Sequence, residues 1–311
     1  MLTDRRRIGV VGARGHTGAE LLSILNDHPG VEVVHAGSRE LAGRPVPQIS
    51  GLVFEDLTPE DLGRLSLDGV FLALPNGVSA PFVGHMSPDT AIVDISADHR
   101  FDDDWVYGLP ELNREKLAGA RRIANPGCYA TVAQLLIAPF LELVDGVPAV
   151  FGVSGYSGAG TTPSEKNDPE RLRDNLIPYS LVGHIHEREA SLHLGRPIRF
   201  MPHVHPAFRG LIVTCHIPVT SIEPRQALAL LEDHYREEPL IDVTKRVPEL
   251  SDGTGMTGVL LGGLDVSDDG LNLVIVGVED NLLKGAAVQA VQNLNLALGH
   301  PELTGIGPAL R

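Results

Sequence analysis

Cysteine is scarce in this chain of 311 residues: only Cys128 and Cys215 occur. Two thiols make no disulfide framework, and a chain this long buries enough apolar surface to fold without one, so a reduced compartment is expected. Basic side chains are also in deficit. Lys and Arg number 25 against 40 Asp and Glu, for a net charge of −15, which argues against binding a nucleic-acid backbone or an anionic membrane surface. No apolar run approaches the roughly 18 residues of a membrane span. The apolar stretch after Arg5–Arg7 extends only from Ile8 to Val11, too short for a secretory signal. Internal repeats and low-complexity segments are lacking as well. The expectation is a cytoplasmic protein acting on a small molecule, with neither nucleic-acid nor membrane partners.

What is present is glycine, at 34 residues, in a chain that is 43% hydrophobic and of a length suited to two domains. Through about residue 125, strand and helix signals alternate. Apolar runs at 8–11, 31–36, 70–74, 91–95 and 122–124 read as buried parallel strands, and His16 to His28 carries leucines at helical spacing before Pro29-Gly30. That alternation implies a Rossmann-type, doubly wound parallel sheet. From about residue 147, strand-like runs dominate (149–153, 198–201, 211–218, 256–264, 271–278), as in an α+β domain with an antiparallel or mixed sheet. A last amphipathic helix is expected over about 282–298. The charge clusters Arg5–Arg7 and Asp102–Asp104 read as solvated faces.

Gly12-Ala-Arg14-Gly15-His16-Thr17-Gly18 lies between the first strand and the first helix, where a dinucleotide pyrophosphate meets a helix N-terminus. Its spacing is G-x-x-G-x-x-G, and the alternative is a tight turn packed closely for its own sake. The end of the second strand offers Ser38 and Arg39 ahead of Glu40. A hydroxyl and a guanidinium suit a 2′-phosphate, so NADP(H) is favoured over NAD; in the alternative, Arg39 is solvated and Glu40 binds the ribose.

Cys128 follows Pro126-Gly127 and precedes an apolar helical run, so it falls at a helix N-terminus, where the dipole favours a thiolate. A nucleophilic cysteine beside a dinucleotide implies covalent chemistry coupled to hydride transfer; a small buried hydrophobe is the alternative. Cys215 reads as one position of a buried strand. Among 13 histidines, His184-x-His186 and His203-x-His205 stand out. If these pairs lie in strands, each shares a face, but ligand-rich surroundings are missing, so no metal is expected and a general base oriented by Glu187 or Glu189 is favoured.

These segments resemble the N-acetyl-γ-glutamyl-phosphate reductase family of the semialdehyde dehydrogenase group. The resemblance runs through 12–18, Leu72–Gly77, Asp94–Phe101, Tyr107–Leu112, Asn125–Thr131, Ser154–Gly160, His184–Glu189 and Asp280–Ala287. It implies an NADP-binding domain at 1–127 completed by a C-terminal helix at 281–311. It also implies a catalytic and oligomerisation domain of the glyceraldehyde-phosphate-dehydrogenase-like type at 128–280, and a homodimer or homotetramer. It implies a reaction in which Cys128 attacks N-acetyl-L-glutamyl 5-phosphate, phosphate leaves, and hydride reduces the thioester to the semialdehyde. His186 or His184 would be the acid/base. Arg100, Ser154, Tyr156, Glu189 and His203 would meet substrate, with Arg100 alternatively in a structural ion pair. The cofactor would touch Gly12, Arg14, Gly15, His16, Thr17, Gly18, Ser38, Arg39, Leu74, Pro75, Ser157, Gly158 and Asn281. Ala130 and Arg188 stand where many members carry proline, and Val288 where glycine is common. A relative acting on aspartyl or aminoadipyl phosphate, or a non-catalytic dinucleotide-binding regulator, is the competing reading.

Overall fold

The computed structural model describes residues 5–307. The chain divides into two compact units. One contains the described residues through Pro126 and those from Ala286 onward; the other is Gly127–Gly285. Residues 281–285, expected with the nucleotide domain, therefore belong to the second unit, and residues 1–4 and 308–311 of the expected spans lie outside the described residues.

The first unit is built on a seven-stranded sheet in the order β3-β2-β1-β4-β5-β7-β6. Its strands are β1 (Arg6–Val11), β2 (Val31–Gly37), β3 (Phe54–Glu55), β4 (Gly69–Leu72), β5 (Ala91–Asp94), β6 (Val106–Tyr107) and β7 (Arg122–Ala124), and every pairing is parallel. All residues of β4 and β5 are buried, as expected of strands covered on both faces. Helix α1 (His16–Asn26) buries Leu21, Leu22 and Leu25, which explains the leucine spacing. Shorter helices α2 (Pro59–Gly63), α3 (Ala80–His85) and α4 (Pro110–Leu117) complete the connections, each with proline in its first turn, where a missing N–H costs nothing. Strand order reverses between β1 and β4, so the loops after these two strands flank the topological switch point.

The second unit holds a mixed sheet in the order β12-β13-β14-β11-β8-β10-β9. Its strands are β8 (Ala149–Gly155), β9 (Ile177–Pro178), β10 (Arg199–His205), β11 (Leu211–Pro218), β12 (Ile241–Val243), β13 (Val259–Val266) and β14 (Asn272–Glu279). The β8–β10 and β12–β13 pairings are parallel and the others antiparallel. Helix α5 (Cys128–Ile137) packs on β11 and β14 and against α7 (Ile185–Leu194); α8 (Pro224–His234) packs on β13 and α9 (Leu250–Gly253) on β14, and the short α6 (Pro169–Leu172) precedes β9. From Tyr129 onward every residue of α5 is buried. Glycines on the sheet make room for it: a Cβ on Gly152 would lie 2.5 Å from the Tyr129 ring, and one on Gly277 would lie 2.7 Å from Val132. Strand β11 alternates in burial throughout and β8 does so as far as Ser154, so one face is covered by helices and the other presents Phe151, Val153, Ile212 and Thr214.

A π-helical turn (Leu283–Ala287) leads into α10 (Val288–Leu298), which packs within the first unit against β4, β5, α1 and α4. The expected amphipathic helix is buried all round, with nine of its 11 residues enclosed. Its polar stripe faces other backbone instead of water. Asn293 Nδ2 donates to Gly108 O and Asn125 Oδ1, and Asn295 Nδ2 donates to Glu302 O and Thr304 O, all at 2.9 Å. The apolar periodicity fits this helix, and its polar residues bond to other segments of the protein.

Candidate active site

The first unit provides a phosphate cradle made of backbone. The three glycines of the loop after β1 each meet a different need. Gly12 has φ +79°, and a Cβ there would lie 2.1 Å from Ala73 O, so only glycine fits the turn. A Cβ on Gly18 would lie 2.5 Å from Gly12 O, so the helix can pack closely on its strand. Gly15 is the N-cap of α1, lacks a side-chain cap, and meets only one atom within 4 Å; its site is open for a ligand to approach the first-turn N–H groups. His16 and Thr17 begin the helix. These features fit a pyrophosphate.

Around this cradle the side chains are exposed. Arg14 pairs with Glu40 at 3.0 Å. Ser38 Oγ accepts from Leu41 N, and the Arg39 side chain is 88% exposed, with Asp56 at 3.9 Å. Leu74 and Pro75 follow β4, and the next turn is braced by Asp98, which accepts from Gly77 N and from the N–H and hydroxyl of Ser79. Burial opposes charge on Asp98, but these donors outweigh it and hold the carboxyl below its usual range. Arg100 is buried. Its Nε donates to Asn125 O at 2.9 Å and its Nη2 to Ile95 O at 3.0 Å, which ties the ends of β5 and β7 together.

The second unit gathers the reactive side chains. Cys128 is the first residue of α5, and Gly127 is its N-cap. Gly127 N donates at 2.8 Å to Glu189 Oε1, a fully buried carboxylate on α7. Glu189 therefore ties the helix that begins at Cys128 to the helix of His184 and His186. A Cβ on Gly285 would lie 2.7 Å from Cys128 Cβ and 2.6 Å from Glu279 Oε1, so glycine there lets the main chain pack directly against the cysteine. Tyr129 O–H donates to His203 O at 2.7 Å, and its phenol neighbours that of Tyr179. Burial pushes both phenols well up, and the neighbouring cysteine charge adds to this. The Tyr129 ring lies 5.9 Å from that of His186 and 4.8 Å from that of Phe200.

His184 and His186 do not share a strand face. His184 is the N-cap of α7 and His186 lies in its first turn, with ring centroids 4.9 Å apart. His184 Nδ1 accepts from His186 N at 3.1 Å, which leaves the ring proton on Nε2. Burial, reinforced by the positive charge of Lys166, lowers the His184 pKa to about 4. His184 is thus neutral at pH 7. His203 lies on β10 with its ring 4.5 Å from Phe151, on the sheet face away from α5; only its carbonyl reaches Tyr129.

Asn281 has both ends of its amide engaged inside this unit. Its Oδ1 accepts from Gly210 N and its Nδ2 donates to Ser157 Oγ, both at 2.9 Å. It thereby fixes the turn Tyr156–Ala159, where Tyr156 stacks edgewise on Phe208 at 5.5 Å and Gly158 adjoins the buried Ser154. Cys215 is fully buried, and burial pushes its thiol well up. Both cysteines are free thiols. Sequence reasoning did not single out Tyr129, Tyr179, Lys166 or Gly285. Tyr129 adjoined the cysteine in a motif already noted, whereas Tyr179 and Lys166 carried no periodic signal. Among the described residues no three His, Cys, Asp or Glu side chains converge as metal ligands, and no helix is long and apolar enough to cross a membrane.

Comparison with known proteins matches residues 7–120 to the family described as semialdehyde dehydrogenase, NAD binding domain, and residues 128–281 to semialdehyde dehydrogenase, dimerisation domain. The N-acetyl-gamma-glutamyl-phosphate reductase of Xanthomonas campestris pv. campestris is 51% identical over 99% of this chain and 100% of its own length. The protein of the same name from Stenotrophomonas maltophilia is 50% identical over 96% of this chain and 97% of its own. Among solved structures, aspartate semialdehyde dehydrogenase II of Vibrio cholerae has a TM-score of 0.79 at 19% identity, covering 96% of this chain and 99% of that one. The Candida albicans aspartate semialdehyde dehydrogenase with NADP has a TM-score of 0.72 at 18% identity, covering 95% and 99%. At these identities the structural likeness is one of fold.

Proposed function

This chain belongs to the semialdehyde dehydrogenase family and, within it, to the N-acetyl-gamma-glutamyl-phosphate reductases; on that premise we propose the following chemistry for its own residues. The enzyme reduces N-acetyl-L-glutamyl 5-phosphate to N-acetyl-L-glutamate 5-semialdehyde and phosphate, reversibly, in arginine biosynthesis. Cys128 is the nucleophile. Its sulfur attacks the acyl carbon, the C–O bond to phosphate breaks, and a thioester remains. A carboxylate resists hydride, whereas a thioester accepts it. A nicotinamide dinucleotide, when bound, supplies that hydride. The observation that carries the assignment is the Glu189–Gly127 bond, which holds Cys128 at the head of a buried helix. First-turn N–H groups there favour negative charge on sulfur and on the carbonyl oxygen of the intermediate.

His186 is the acid/base. His184 has its Nδ1 committed to capping α7 and is neutral at pH 7, so it cannot donate a proton as an imidazolium. Glu189 and Asn281 act as positioning residues, through Gly127 and Ser157 respectively. Arg100 holds the turn before Cys128 through Asn125 O. Gly12, Gly15 and Gly18, with Arg14, His16 and Thr17, cradle the pyrophosphate, and Leu74 and Pro75 flank the switch point. Ser38 and the exposed Arg39 favour NADP(H), since a guanidinium matches a 2′-phosphate. The outer face of the second sheet, where Phe151 is 39% exposed, supports self-association as a homodimer or homotetramer. The reduced state of both cysteines suits the cytoplasm.

The test is spectrophotometric. Purified protein is mixed with N-acetyl-L-glutamate 5-semialdehyde, phosphate and NADP, beside parallel reactions with aspartate semialdehyde and with NAD. Phosphate-dependent formation of reduced cofactor from the acetylated substrate and NADP is expected. Activity only with another semialdehyde would reassign the substrate, and folded protein inactive with all of them would overturn the reading.

A further inference from the structure

The sequence contains only four lysines against 40 acidic side chains, so a lysine without an acidic partner is unexpected. Lys166 is half-buried, and no carboxylate among the described residues pairs with it. Its acidic sequence neighbours are otherwise engaged. Glu165 Oε1 pairs with Arg171 Nη1 at 3.1 Å, and Asp168 Oδ1 accepts from Glu170 N at 3.0 Å to cap α6. The Lys166 loop is ordered by Asn167. That side chain accepts from Ser164 N at 2.7 Å and donates to Thr162 O at 2.8 Å and Gly160 O at 3.0 Å. The ammonium lies 4.8 Å above the centre of the Tyr179 ring. Tyr179 meets the His184 ring edge-on at 5.6 Å, and its phenol neighbours that of Tyr129, next in sequence to Cys128. A cation is therefore held on an aromatic platform that leads to the nucleophile, beside the N-terminus of α7. Partial desolvation without a counter-charge costs free energy that a bound anion would recover.

We propose that Lys166 is the residue that takes an oxyanion of the substrate, resting its ammonium on Tyr179 and facing the Cys128–His186 site. This rests on the reductase reading above. The substrate class carries two such groups, the phosphoryl group and the α-carboxylate. In the forward step the C–S bond forms as the C–O bond to phosphate breaks. Phosphate departs with the bonding pair, and the thiol proton, carried by His186, ends on it as hydrogen phosphate. A lysine acting as a point charge suits either anion.

The experiment uses the full-length enzyme in the oxidative direction, comparing wild type, Lys166→Met and Lys166→Arg at saturating NADP. Phosphate and N-acetyl-L-glutamate 5-semialdehyde are varied in turn. A rise of tenfold or more in the phosphate KM of Lys166→Met, with the semialdehyde KM unchanged and recovery in Lys166→Arg, assigns Lys166 to the phosphoryl group. The converse split assigns it to the carboxylate. Equal KM values for wild type and Lys166→Met, or a fall in kcat alone, overturn the proposal. Because wild-type turnover tests the reductase reading and the variant's KM ratio tests Lys166, the two can fail separately. A second readout needs no turnover: inorganic phosphate or N-acetyl-L-glutamate should slow alkylation of Cys128 in wild type and not in Lys166→Met. Equal protection in both proteins also overturns the proposal.

Discussion

The two units build their candidate sites from different materials. In the first, the site is backbone: Gly12, Gly15 and Gly18 clear space around N–H groups, and the side chains nearby are exposed or paired at the surface. In the second, the site is a lattice of buried side chains in which Glu189, Tyr129 and Asn281 each hold a backbone group of another segment. A phosphate needs only donors and room, which any sequence with the right glycines supplies. A nucleophile and its proton carrier need fixed relative positions, which require side chains that lock one another. The loop after β1 should therefore tolerate changes to the exposed side chains around it but not a Cβ at the turn. The second unit should tolerate neither partner's loss.

The sharpest break between the two is Cys128→Ser. Turnover should fall by about four orders of magnitude or more, while NADPH titration by fluorescence stays near the wild-type value. Loss of NADPH binding along with turnover would instead give Cys128 a folding role. Next comes Gly12→Ala, which places a methyl 2.1 Å from Ala73 O at φ +79°. A destabilisation of about 3 kcal/mol or more is expected by urea denaturation, against less than about 1 kcal/mol for Gly15→Ala. Equal stability of the two variants would undo the separate roles given to these glycines.

A somewhat smaller effect is tied to pH. The folded pKa of His184, about 4, lies below the ordinary 6.5, because burial first and Lys166 second disfavour its cation. The unfolded chain binds the proton first, so this contribution is fully present above pH 6.5. It fades as pH falls toward 4, by up to about 3 kcal/mol. His184→Asn keeps an N-cap and removes the titration, so its stability should vary less across that window. An unchanged profile would remove His184 as the source. The smallest change is Arg39→Asp, which should weaken NADPH about tenfold (about 1.4 kcal/mol), leave NADH nearly unaffected and alter stability by less than about 0.5 kcal/mol. Equal weakening of both cofactors would show that Arg39 does not read the 2′-phosphate.

Periodicity made the central strands legible. The runs at 8–11, 31–36, 91–95 and 122–124 lie on β1, β2, β5 and β7 within a few residues. The strands β3, β6 and β9 span two residues each, too short for any alternation to register. The run at 198–201 covers only the first part of β10, which continues through Pro202 to His205. The glycine loop and Cys128 were legible because their chemistry depends on neighbours in sequence. Tyr179 and Lys166 were not, since only the tertiary fold brings them to His184 and Tyr129. The strand-face reading of His184 and His186 failed because the pair straddles a helix start.

The glycine at 285 has a practical side. The main chain there packs directly on Cys128 with no side chain between them, so a substitution at this position disturbs the cysteine before it reshapes anything else. Any methyl added at the position would collide with the cysteine itself. Redesign around the cysteine must therefore work from neighbours that carry side chains.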